Sequence, residues 1–123
     1  MPGTLLTIDD AAIIREMIKD TASAAGWNIV GEACDGREGF EQYRRLRPDA
    51  VTLDLVMPEY DGLFALRAIR AFDPQARVIV VSALDQKSIL KEAFKAGASD
   101  FLVKPFQRSM LVETLEQLIA PIV

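Results

Sequence analysis

The sequence predicts an α/β fold: a doubly wound, five-stranded parallel sheet with helices on both faces, a three-layer sandwich. Two observations predict it. Short apolar runs bounded by Gly, Pro or Asp alternate along the chain with longer stretches whose apolar residues recur at three- and four-residue steps. The most continuous run, Arg77-Val78-Ile79-Val80-Val81, is apolar on successive positions, as a central parallel strand covered on both faces must be. Regular alternation of strand and helix leads to a parallel sheet with crossover helices. With 123 residues and no repeat, linker or low-complexity tract, residues 1–123 are expected to form one domain.

The elements follow in order. Thr4-Leu5-Leu6-Thr7-Ile8 is a strand that stops at Asp9-Asp10. Ala11, Ile14, Ile18, Ala22 and Ala25 then share one helical face, and Gly26 ends that helix. Residues 29–34 form a second strand, whose flanking Asn28 and internal Glu32 suggest a sheet edge. Asp35 and Glu38 have capping-box spacing ahead of a second helix with Phe40 and Tyr43 inward, ending before Pro48. Ala50, Val51 and Leu53 form a third strand between Pro48 and Pro58, and it ends on Asp54. After a loop over residues 57–62, Leu63, Leu66 and Ile69 set a third helix, closed by Asp73-Pro74. The fourth strand, residues 77–81, ends on Ser82-Ala83. Leu90, Ala93 and Phe94 are expected on the inner side of the fourth helix, which Gly97 ends. Residues 101–103 make the last strand, ending on Lys104-Pro105, and Leu111, Leu115 and Leu118 face the core from the last helix, which lacks a strong N-cap at Gln107.

Composition narrows the chemistry. Half of the residues are hydrophobic and 26% charged, as in a globular protein. No apolar run approaches the roughly 20 residues of a membrane span, and Met1-Pro2-Gly3-Thr4 has no signal-peptide character. The single Cys34 is expected to be a small, reduced core residue, consistent with the cytoplasm. The absence of histidine removes Ser-His-Asp and Cys-His catalysis and histidine zinc sites. A net charge of −4 argues against direct binding of nucleic acid through its phosphates. Carboxylates, hydroxyls and lysine remain.

The strand ends supply them: Asp9 and Asp10, Asp54, Ser82 and Lys104. Each has a local explanation, Asp10 as a helix N-cap and Asp54 as a turn-capping residue. In a doubly wound sheet, however, the carboxyl ends of all strands meet at one crevice beside the topological switch point. Like charges about 4 Å apart repel by roughly 1 kcal/mol in water and about 4 kcal/mol near a protein surface. Such a cluster needs a proton or a cation, and oxygen-only ligands suit Mg²⁺. A carboxylate nucleophile, a hard cation, a lysine and a hydroxyl are the parts that accept a phosphoryl group.

Thr7-Ile8-Asp9-Asp10, Val51-Thr52-Leu53-Asp54-Leu55-Val56-Met57-Pro58, Asp61-Gly62, Ser82-Ala83, Ala96-Gly97-Ala98 and Lys104-Pro105-Phe106 together resemble the receiver domains of two-component response regulators. The likeness spans essentially the whole chain, and Gly36-Arg37-Glu38 and Val103-Lys104-Pro105-Phe106-Gln107 bring it nearest the single-domain chemotaxis (CheY-like) type. The resemblance implies a flavodoxin-like sheet of order 2-1-3-4-5. That order is the familiar one of flavodoxin and CheY themselves, so it rests on precedent as well as on the edge character of the second strand.

Residue by residue, the resemblance makes Asp54 the phosphoacceptor, charged by a histidine kinase. Asp10 matches a direct Mg²⁺ ligand, Asp9 its water-bridged neighbour, and Val56 a backbone-carbonyl ligand beside Asp54. Ser82 matches the hydroxyl that moves toward the phosphoryl group, Lys104 the phosphate-binding lysine with a cis bond to Pro105, and Phe101 the aromatic that turns inward with Ser82. Output is then expected through the face of the fourth helix, fifth strand and fifth helix, to a partner such as a flagellar motor switch component or a phosphatase, from a monomer or weak dimer. In two places the chain departs from the family pattern. Phe101 lacks the hydroxyl of the tyrosine common in chemotaxis members, and Val56 and Leu84, each two residues past a site residue, are apolar and expected to slow the approach of water.

Other readings fit less well. A haloacid-dehalogenase-like phosphatase needs a second Asp two residues after its nucleophile, and Ala11, Ala12 and Val56 occupy those positions here. No hydroxyl-rich phosphate loop follows the first strand, as a flavodoxin requires, and there is no Walker-type GKS/T. The chain stops at Ile122-Val123 directly after the last helix, which suggests a stand-alone protein. A receiver module cut from a longer regulator with a DNA-binding or enzymatic output is the alternative.

Overall fold

The computed structural model describes residues 3–57, 62–83 and 87–119. Strands and helices alternate: β1 (Thr4–Ile8), α1 (Ala12–Ala24), β2 (Asn28–Ala33), α2 (Gly36–Leu46), β3 (Ala50–Leu53), α3 (Gly62–Phe72), β4 (Val78–Ser82), α4 (Lys87–Lys95), β5 (Asp100–Val103) and α5 (Arg108–Ile119). All strand pairs are parallel, in the order β2-β1-β3-β4-β5. The edge position of β2 and the interior position of β4, paired on both sides and buried at every residue, follow the sequence reading.

Strand periodicity divides the core in two. Leu6, Ile8, Val51, Leu53, Val78 and Val80 meet α2, α3 and Ala93 of α4 on one face. Leu5, Ala50, Ile79, Val81 and Leu102 meet Ile18 and Ala22 of α1 and Leu111 and Leu115 of α5 on the other. Each fully buried leucine contributes about 1.5–3 kcal/mol. The helices end as their residues dictate: Gly26 and Gly97 take positive φ (96° and 111°) after α1 and α4, and Asp35 caps α2 by accepting from the Glu38 N–H at 2.8 Å.

Three expectations are corrected. β2 starts and stops one residue earlier than expected, so Cys34 lies outside the strand and is exposed rather than in the core. Phe94 is 48% exposed. Ala93 faces the core as expected, joined by Ile89 one turn before it, and the next residue along a helix points about 100° away. Asp10 is also no helix cap: Ala11 occupies that position and Asp10 is exposed. Pro58, Asp61, Leu84, Ile122 and Val123 lie outside the described residues.

Candidate functional site

Parallel pairing brings the ends of β1 and β3 together, because the Asp54 N–H donates to the Ile8 carbonyl at 3.0 Å just past the strand. Asp9 (1% exposed) and Asp54 (6%) are thereby buried side by side. Every polar atom of Asp9 is engaged. Its N–H donates to the Ala33 carbonyl (3.0 Å), its carbonyl accepts from Arg15 Nη1 (2.7 Å), Oδ1 accepts from the Ala11 N–H (2.9 Å), and Oδ2 meets Lys104 Nζ (2.7 Å). Asp54 Oδ1 accepts from the Val56 N–H at 3.2 Å, the local turn role, while Oδ2 faces Lys104 Nζ at 3.4 Å. Burial pushes the Asp54 carboxyl above the usual carboxylate range, with Asp9 adding to the rise and the Val56 N–H and Lys104 opposing it.

Asp10 completes the group: one carboxylate oxygen from each of Asp9, Asp10 and Asp54 lies within 4.8 Å of the others. Three carboxylates face one ammonium, so the ionised pocket carries two uncompensated negative charges. A divalent cation matches that deficit, and an all-oxygen donor set is the one a hard cation such as Mg²⁺ takes.

The other predicted residues lie on or just past β3, β4 and β5. Ser82, fully buried, ends β4, and its carbonyl accepts from the Lys104 N–H at 2.9 Å, tying the lysine's main chain to the neighbouring strand. The Lys104–Pro105 peptide is cis. Phe101 is half-buried against the core formed with α2, α3 and α4. The Val56 side chain is 55% exposed beside Asp54. Gly62 opens α3 directly against the Asp54 strand end, its N–H donating to the Leu55 carbonyl at 3.0 Å. A Cβ at this position would overlap the Asp54 carbonyl oxygen, so glycine is needed here for close approach.

A family model for the response regulator receiver domain matches residues 5–116. The chain belongs to this family. It is 49% identical to the chemotaxis protein CheY of Thermotoga maritima over 117 residues, 95% of this chain and 98% of that protein. Among solved structures it resembles the CheX-CheY-BeF3-Mg complex from Borrelia burgdorferi (TM-score 0.94, 32% identity, 98% of this chain and 92% of that one). It also resembles a LuxR-family two-component response regulator from Aurantimonas sp. (TM-score 0.93, 31% identity, 98% and 86%). Receivers of the CheY type are signalling switches rather than enzymes, which sets aside the phosphatase reading.

Around this receiver pocket the sequence reading overlooked two polar groups. Thr52 donates its hydroxyl to that of Thr7 at 2.8 Å, both buried, each two residues before a pocket aspartate. That two-residue spacing was the available signal, since alternate strand residues share a face. Arg15 was also missed, and Glu32 was read only as a mark of an edge strand. Arg15 and Lys19, four apart and so on one helical face, both bind Glu32, at 2.8 and 2.6 Å.

Proposed function

We propose that this receiver is a phosphorylation-dependent switch of a chemotaxis-type phosphorelay, acting in the cytoplasm as a single domain over residues 1–123, monomeric or weakly dimeric. The observation that carries the reading is the buried Asp54 carboxylate, converged with Asp9, Asp10 and Lys104 in one pocket. A carboxylate oxygen of Asp54 attacks the phosphorus of a phosphohistidine on a partner kinase. The new O–P bond forms as the P–N bond breaks, and the imidazole nitrogen keeps the electron pair. Asp9, Asp10, Asp54 and the Val56 carbonyl would hold Mg²⁺, which when bound neutralises charge building on the phosphoryl oxygens. Lys104 contributes a second positive charge to the same oxygens.

Ser82 and Phe101 then carry the change outward, the hydroxyl moving toward the phosphoryl group and the ring turning into the space it leaves. The face formed by α4, β5 and α5 is the output surface. Each of its elements exposes an apolar side chain, Phe94 (48%), Val103 (38%) and Met110 (46%), as a docking surface requires. Its partner is a flagellar motor switch component or a phosphatase. Likeness to CheY over nearly the whole of both chains favours this reading, whereas likeness to a LuxR-family regulator supports the second one, a receiver module of a longer protein.

Acetyl phosphate with Mg²⁺ should add one phosphoryl mass to the wild type and none to Asp54→Asn. Continued labelling of Asp54→Asn overturns the assignment. Lys104→Ala should fold yet fail to change partner binding when phosphorylated.

A further inference from the structure

The carbonyl of Asp9 lies past the last residue of β1, at the start of the turn that presents both Asp9 and Asp10 to the pocket. A helix N-cap would ordinarily hold such a turn, but Ala11 has no side-chain cap to offer and the first turn of α1 contains no acidic residue. Arg15 holds the turn from its carbonyl side instead. Its Nη1 donates to the Asp9 carbonyl at 2.7 Å while Nε donates to Glu32 Oε1 at 2.8 Å, from a side chain only 17% exposed. Glu32 is itself held, opposite Thr7 in the β1–β2 register and with Oε2 on Lys19 at 2.6 Å. One rigid guanidinium thus ties α1 and the edge strand to the main chain of the pocket. Because the peptide group is planar, a fixed Asp9 carbonyl also fixes the plane that leads to Asp10.

We propose that Arg15 is a positioning residue for the cation pocket, clamping the Asp9–Asp10 peptide against Glu32 so that both carboxylates converge. This rests on the pocket's reading as a Mg²⁺ site. Charge alone predicts the opposite sign: a nearby cation repels Mg²⁺, so its removal should tighten binding, whereas loss of a clamp loosens it. Lys19 is the internal control, since it shares Glu32 and pairs with Glu16 at 2.7 Å but makes no hydrogen bond to Asp9 among the described residues.

The test is calorimetric Mg²⁺ titration of the full chain, with amide exchange at Ala11 followed in metal-free protein. Arg15→Met is expected to weaken Mg²⁺ binding about 10-fold or more, the range for partners that orient metal ligands. Arg15→Lys, which keeps the charge but loses the fork, should weaken it too and serves if Arg15→Met fails to fold. Lys19→Met should weaken it far less, since Arg15 still bridges Glu32 and the Asp9 carbonyl. The Ala11 N–H, held by Asp9 Oδ1, should exchange faster in both Arg15 variants. Unchanged or tighter binding in the Arg15 variants, or an equal loss in Lys19→Met, overturns the clamp while leaving the pocket assignment standing. A wild type that takes up no Mg²⁺ overturns both.

Discussion

The Lys104 ammonium lies 2.7 Å from Asp9 Oδ2, an ion pair between residues 95 positions apart that bridges the carboxyl ends of β5 and β1. The same nitrogen is farther, 3.4 Å, from the proposed phosphoacceptor Asp54. Without metal, the lysine is thus the partner that makes two adjacent buried carboxylates tolerable.

Removing it should therefore be felt most in metal-free protein. Lys104→Met is expected to lower stability by about 2–3 kcal/mol, somewhat less than for a fully buried pair because Lys104 retains some exposure. Mg²⁺ should stabilise the variant more than the wild type. Urea unfolding with and without Mg²⁺ measures both quantities, and identical midpoints for the two proteins in chelator would remove the pair from the account.

Gly62→Ala sets two effects against each other. Helix propensity favours alanine by about 1 kcal/mol. Contact with the Asp54 carbonyl oxygen and Leu55 Cα opposes it, and overpacking of this kind costs about 1–3 kcal/mol. We expect net destabilisation together with slower phosphoryl uptake, because the strand end that carries Asp54 must shift. A variant more stable than wild type and equally reactive would show that the contact relaxes freely.

The Tyr43 hydroxyl, pushed up from its ordinary pKa chiefly by burial, donates to Asp73 Oδ2 at 2.7 Å, and that bond is the main cause holding the Asp73 carboxyl below the usual range. A depressed carboxylate adds stability above its unfolded pKa, near 4, and loses that contribution as pH falls through the lower folded value. Tyr43→Phe should cost about 1 kcal/mol at neutral pH. The difference from wild type should shrink below about pH 4. A constant difference across that range would separate the two groups energetically.

Val56 stands exposed beside Asp54 and offers water no hydrogen-bonding group. Val56→Asn should shorten the lifetime of the phosphorylated form, read as decay of the phosphoryl mass after donor removal. An unchanged decay would show that this side chain does not govern water's approach.

How far the sequence reaches is clear from particular residues. The apolar runs of β3 and β4, the stops at Gly26 and Gly97, and the cap at Asp35 are local features, written within a few neighbouring positions, and they were readable directly. So was the meeting of Asp9, Asp10 and Asp54, because parallel strands carry their carboxyl ends to one edge of the sheet. Cys34 and Phe94 were misplaced because each sits one residue from a buried position, and a one-residue step turns a side chain from the core to the surface. By itself, then, the sequence determined the order of elements, the faces they bury and the residues at their ends, since hydrophobic period and turn chemistry act over short range. Only the tertiary structure decided which of those residues touch: Lys104 on Asp9 before Asp54, Arg15 on the Asp9 carbonyl, Gly62 against the Asp54 strand end. Such choices turn on ångström-scale separations between elements far apart in the chain, which no local pattern encodes.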